Sequence, residues 1–189
     1  MSSETPDHIL IEDAKTGSRE AVAALYHRYL NKITRYVSYR VSDDSAIEDI
    51  IAQIFLAMIE QLPRYRFTGA PFEAWLYQIA KGHVADYYRR KKPLEELPDT
   101  LHSGETPLDL RVQDRESFDE LRAAIAQLTE EQQTIIILRF VELKSHEEVA
   151  EILGKSTGAI MTAQHRALKQ LATLLGTEKD SRHYLRGEK

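Results

Sequence analysis

Three residue pairs in this chain sit three positions apart with the chemistry of a helix start: Ser45 and Glu48, Thr129 and Gln132, Ser145 and Glu148. In such a capping box the hydroxyl accepts from the third helical amide, and the acid or amide side chain reaches back. Each pair precedes an apolar run with helical spacing. Only 8 glycines and 6 prolines interrupt 189 residues, and several of them fall where a helix has to stop. The expectation is an all-α chain.

A short apolar segment, His8–Lys15, ends at Thr16-Gly17-Ser18. Ser18 then caps a long helix to about Val41, buried through Val22, Leu25, Tyr26, Tyr29, Ile33, Tyr36 and Val37. Ser45 opens the next helix, which Pro63 ends, with Ile47, Ile50, Ile51, Ile54, Met58 and Ile59 as its inner side. The stretch Phe72–Lys92 reads as one helix stopped by Pro93. Its apolar stripe is Trp75, Leu76, Ile79, Ala80, Val84 and Tyr87, and Tyr77, Gln78, Lys81, Tyr88 and Arg89 lie opposite. Helices are expected over about 118–127, over Glu130–Val141 with Ile135, Ile136, Leu138 and Phe140 apolar, over a short segment to Leu153, and from a Ser156 cap to about Leu175. Residues 1–92 and 121–175 form two small domains, 93–120 links them, and 176–189 is a polar tail.

Net charge is −5, which by itself disfavours a free-standing DNA binder. The charge is uneven, however. Glu60–Lys92 and Lys155–Lys189 are basic, whereas 93–120 carries nine carboxylates against Arg111 and Arg115. Local patches decide phosphate contacts, so two basic surfaces flank an acidic connector. The absence of cysteine excludes disulfides and thiolate metal sites and fits a cytoplasmic protein. No signal-peptide pattern or membrane-length apolar run is present.

Ser145–Leu175 has the layout of a helix-turn-helix: a short capped helix, Gly154 as the turn, then a capped second helix. Such a second helix enters the major groove with its N-terminal residues leading. Its outward residues are Met161 (at the edge), Thr162, His165, Arg166 and Lys169, beside Lys155, Ser156 and Thr157. On Phe72–Lys92, aromatic rings beside cations suit stacking on unpaired bases. The helix after Ser45 shows Asp49, Ala52, Gln53, Leu56 and Glu60 outward, an apolar anchor with a polar rim. His146-Glu147-Glu148-Val149-Ala150 begins like a zinc-protease motif, but Ala150 stands where the second histidine belongs. No catalytic constellation, metal site or cofactor is expected. These features fit a protein that opens DNA, or a stand-alone helix-turn-helix regulator whose N-terminal domain senses or dimerises.

In sequence order, four blocks resemble the extracytoplasmic-function sigma factors. They are Ala21–Tyr29, Glu48–Phe55, Phe72–Ala80 with Asp86–Arg90, and Leu128–Gln132 running through Leu138–Glu142 and Val149–Gly154 into the last helix. The resemblance implies a promoter-specificity subunit without an active site, partnered by core RNA polymerase at its clamp and flap regions, by promoter DNA and by an anti-sigma factor, with no membrane. It implies that Asp49, Ala52, Gln53, Leu56 and Glu60 face the clamp. It implies minus-ten contacts from the Arg66–Pro71 loop, with Arg66, Thr68 and Gly69, and from Tyr77, Gln78, Lys81, Tyr88, Arg89 and Arg90. Minus-35 contacts would come from Lys155, Ser156, Thr157, Met161, Thr162, His165, Arg166 and Lys169. Three positions depart from the family pattern: Ala52 stands where glutamine is usual, and Met161 and Ala163 stand where basic residues are frequent.

Overall fold

The computed structural model describes residues 5–91 and 112–176, the side chains of 112–116 excepted. Most of the expected 93–120 linker, Lys92 and the tail 177–189 lie outside the described residues. The chain divides into two units, Met1–Gly104 and Glu105–Lys189. Every regular element among the described residues is helical. None of these helices is long and apolar enough to cross a membrane.

The first unit contains α1 (Asp7–Lys15), α2 (Arg19–Ser38), α3 (Asp44–Gln61) and α4 (Phe72–Lys91). Ser18 caps α2 as expected, its hydroxyl accepting from the Ala21 amide. At α3 the cap is not Ser45. The Asp43 carboxylate accepts from the Ser45 and Ala46 amides, and the Ser45 hydroxyl donates to it. A carboxylate is the stronger acceptor and also complements the positive end of the helix dipole, so the start moves two residues back. Pro63 sits in a 3-10 turn over Leu62–Arg64 that closes α3. The core joins Leu25, Ile33, Tyr36 and Val37 of α2 to Ile54, Phe55 and Met58 of α3 and to Leu76, Ala80 and Val84 of α4.

The second unit contains α5 (Val112–Ala126), α6 (Glu130–Ile136), α7 (His146–Leu153) and α8 (Thr157–Leu174). α5 begins inside the segment read as linker. Gln113, Arg115 and Glu116 are good helix formers there, and acidity alone does not argue against a helix. Both expected capping boxes form, at Thr129/Gln132 and Ser145/Glu148. The single helix expected to Val141 does not run through. After Ile136 it widens into a π turn over Ile137–Val141, and the Glu142 amide donates to the Ile137 carbonyl. The extra residue per turn rotates Phe140 outward, so it is exposed rather than part of the core. Leu143 follows at φ +54°. Gly154 takes a left-handed conformation at the turn, φ +64°, which spares the Cβ penalty.

Candidate nucleic-acid and polymerase interface

α4 is turned about its axis relative to the reading from its periodicity. Its buried residues are Phe72, Ala74, Leu76, Tyr77, Ala80 and Val84. Tyr77, expected on the open side, is only 2% exposed, and its ring packs on Tyr36 at 5.3 Å. Trp75 and Ile79, expected inside, are half-exposed. The pattern permitted both readings, because aromatic and aliphatic residues occur nearly all round this helix. The neighbouring Tyr36 decided between them.

Trp75, Gln78, Ile79, Gly82, His83 and Asp86 of α4, with Gln61 at the end of α3, line an open groove of about 350 Å³. At about 100° per residue these α4 positions share one face. Gln78 is the one residue of the minus-ten set that lines it. Arg89 belongs beside it, held by a 2.8 Å ion pair to Asp86. Lys81 and Tyr88 lie far round the helix from Trp75, and the Tyr88 hydroxyl donates to the Arg40 carbonyl. The Arg90 Nε donates to the Asp86 carbonyl at 3.3 Å.

The loop after Pro63 carries exposed Arg66, Thr68 and Gly69, with Gly69 at φ +96°. Sequence reasoning missed Phe67 between them, which is 75% exposed. An aromatic residue within two positions of a glycine in a polar loop is the signal by which the sequence marks it. Behind the loop, Tyr65 meets Phe72 edge-to-face at 5.2 Å and Trp75 at a tilt at 4.9 Å.

On α3, Asp49, Ala52, Gln53, Leu56 and Glu60 all face outward. Leu56 is 56% exposed. It is not alone, because Ile59, read as buried, is 45% exposed one turn on. Phe55, which meets Tyr26 edge-to-face at 4.7 Å, takes the inner position instead.

α8 presents Met161, Thr162, His165, Arg166 and Lys169 outward and buries Ile160, Ala167 and Leu171. Ser156 is its cap, with its hydroxyl accepting from the Ala159 amide. Lys155 pairs with Glu131 at 2.8 Å, and Thr157 is half-buried. Gln164, which the sequence did not single out, ties this helix to its neighbours. Its Oε1 lies 3.0 Å from the Arg139 Nε and 3.0 Å from the His146 Nε2. Among the described residues no group of histidines and carboxylates is placed to hold a metal ion. Glu147, exposed at the start of α7, has its carboxyl held below the usual range by its own backbone amide and the Ser145 hydroxyl, which is helix-start chemistry.

The second unit is thus a helix-turn-helix, and the first carries an exposed aromatic groove and an apolar-centred helix face. Two family models match in that order: Sigma-70 region 2 over residues 25–93, and Sigma-70, region 4 over residues 118–171. The chain is 34% identical to the ECF RNA polymerase sigma factor SigD of Mycobacterium tuberculosis over 90% of its own length and 84% of that protein. It is equally identical to the ECF sigma factor BldN of Streptomyces coelicolor over 88% of this chain, spanning 64% of that longer protein. In fold it resembles CnrH, solved with the cytosolic domain of CnrY, at a TM-score of 0.68 over 91% of this chain and 98% of the other, at 22% identity. The chain belongs to the extracytoplasmic-function sigma factors, and the stand-alone regulator is set aside.

Proposed function

We propose that this chain docks on core RNA polymerase, captures unstacked bases of the minus-ten element, and reads the minus-35 element with α8. The docking face is Asp49, Ala52, Gln53, Leu56 and Glu60, widened by Ile59. Two exposed aliphatic side chains one turn apart, rimmed by polar groups, suit a partner helix better than a lone leucine does.

Base capture belongs at the groove. The observation that carries this reading is the half-exposed Trp75 in the groove wall, with the loop's exposed Phe67 nearby in sequence. An indole face stacks on any base, while Gln78, His83 and Asp86 offer donors and acceptors to base edges. Arg66, Arg89 and Arg90 supply positive charge for the backbone. Tyr77 supports the groove from inside, and Lys81 and Tyr88 stand to one side of it. Thr68 and Gly69 shape the loop.

On α8, Thr162, His165 and Met161 lead into the major groove, and Arg166 and Lys169 meet phosphates. Ser156 acts by fixing the helix start, and Lys155 by its ion pair to Glu131 of α6. The polymerase performs the chemistry, and this chain needs no cofactor. CnrH was solved with the cytosolic domain of CnrY, and RpoE with the anti-sigma factor NepR from Bartonella quintana. An anti-sigma partner is part of the proposal for this chain.

The deciding experiment is transcription in vitro with core polymerase over a promoter library. Specific run-off products that require both the chain and core support the reading. A verified, folded chain that neither co-purifies with core nor directs transcription overturns it.

A further inference from the structure

The groove wall is not set by α4 alone. The Trp75 ring leans on Tyr65 at 4.9 Å and on Phe72 at 5.2 Å, and Phe72 in turn meets Tyr29 at 5.5 Å. Tyr65 also meets α1, whose Lys15 ammonium lies 5.7 Å from the ring centre. α1 is itself fastened to α2. The Asp7 carboxylate accepts from the Arg28 guanidinium and from the Tyr29 hydroxyl, and Arg28 also donates to the Thr5 carbonyl at 2.7 Å. Burial, followed by the Asp7 hydrogen bond and charge, drives the Tyr29 hydroxyl well above its ordinary pKa, so it stays a donor in this contact. On the same side, Lys32 pairs with Glu73 of α4 at 2.9 Å.

These contacts form an unbroken line from the first helix to the groove. Its order is Lys15 of α1, Tyr65 of the turn after α3, then Trp75 of α4. Neither Lys15 nor Tyr65 is among the residues lining the groove. We propose that Tyr65 is a positioning residue for base capture: in contact with both the Lys15 ammonium and the Trp75 indole, it holds that indole in the groove wall, so α1 controls strand capture without touching DNA. This rests on the assignment of base capture to the groove.

The physical reason is geometric. A half-exposed indole has open rotamers on its solvent side, and an oriented stacking platform works only if one of them is held. Tilted aromatic contacts at about 5 Å are of the attractive kind, and a cation over the Tyr65 ring adds to the hold. Removing the cation or the ring frees Trp75 while leaving the α2–α3–α4 core intact.

Trp75 is the only tryptophan of the chain, so its emission reports on the site directly. The full chain is compared with Tyr65→Phe, Tyr65→Leu, Lys15→Ala and Trp75→Leu. Emission is read on the free protein. Capture of a short single-stranded DNA pool of randomised sequence is read on the holoenzyme, with the signal of core alone subtracted. Tyr65→Phe is expected to match the parent in both. Tyr65→Leu and Lys15→Ala are expected to shift the emission and to weaken capture about fivefold or more, approaching the loss in Trp75→Leu, since a stacked base contributes roughly tenfold in affinity or better. Binding to core and helical circular dichroism should stay at the parent level in Lys15→Ala, the mildest change.

Unaltered capture by Tyr65→Leu and Lys15→Ala, while Trp75→Leu is defective, overturns the positioning role and leaves the groove standing. Unaltered capture by Trp75→Leu itself overturns the groove reading, and the positioning role falls with it. Weakened capture with unchanged emission also overturns the proposal, because the effect would then bypass the indole.

Discussion

The Tyr77 ring packs 5.3 Å from the Tyr36 ring at 57°, linking α4 to α2 inside the first unit. A residue that sequence periodicity put on the DNA side is thereby a core residue. Tyr77→Ala should cost about 3–5 kcal/mol, the range for deleting a buried aromatic side chain. Thermal unfolding followed by circular dichroism measures it. A melting temperature equal to the parent's would return Tyr77 to the surface.

Leu56 and Ile59 stand one turn apart, and both are exposed, so a charge at either position meets solvent in the free chain. Leu56→Asp and Ile59→Asp should each abolish capture by core polymerase with unchanged helical signal. Loss of helix in either variant would show that side chain to be internal.

The α8 cations Arg166 and Lys169 are exposed and hold no acidic partner in the ion pairs described. If both meet backbone phosphates, alanine at each should lower the salt slope of minus-35 binding by about one and weaken binding across sequences alike. Equal slopes in variant and parent would mean that another face reads the DNA.

Leu143 is 82% exposed and sits at φ +54°, a conformation that costs an L-residue and offers this side chain no burial in return. Leu143→Gly should therefore stabilise the second unit by about 0.5–1 kcal/mol, once the greater unfolded freedom of glycine is subtracted. Chemical denaturation measures the gain. A destabilised variant would show that the leucine side chain holds something in place.

Asp43 caps α3, and its carboxyl is held below the ordinary range, chiefly by the Ser45 hydroxyl and then by the Ala46 amide. The fold thus favours the charged form. The added stability is present above the unfolded pKa and is lost as pH falls through the carboxylate range. Asp43→Asn should keep most of the cap yet lose less stability than the parent between about pH 7 and about pH 3. Asp43→Ala should cost about 1 kcal/mol at neutral pH. Parallel stability–pH curves for parent and Asp43→Asn would remove Asp43 from this role.

The helical class, most helix starts and the helix-turn-helix were legible because their signals are local. A hydroxyl three residues before Gln132 or Glu148, a proline after Leu62 and a glycine at 154 act within a turn of themselves. The outward face of α8 was legible for a related reason: its inner residues, Ile160, Ala167 and Leu171, are separated from polar neighbours by a clean stripe. The family blocks added partners and roles that no periodicity contains.

The α4 face was not legible, because Trp75, Leu76, Tyr77, Ile79 and Tyr87 distribute apolar surface around most of the helix. Which part is buried depends on what α2 and α3 offer, and Tyr36 offers an aromatic partner to Tyr77. Nor was the widening at Ile137 visible, since a π turn is chosen by the packing of Leu138 and by the links through Arg139 to Gln164 and the Lys144 carbonyl. Chain chemistry alone therefore determined where most helices begin, which depends on groups a few residues apart. Tertiary structure alone decided which way two of them face, because rotation about a helix axis costs nothing until a neighbour of definite shape takes up one side.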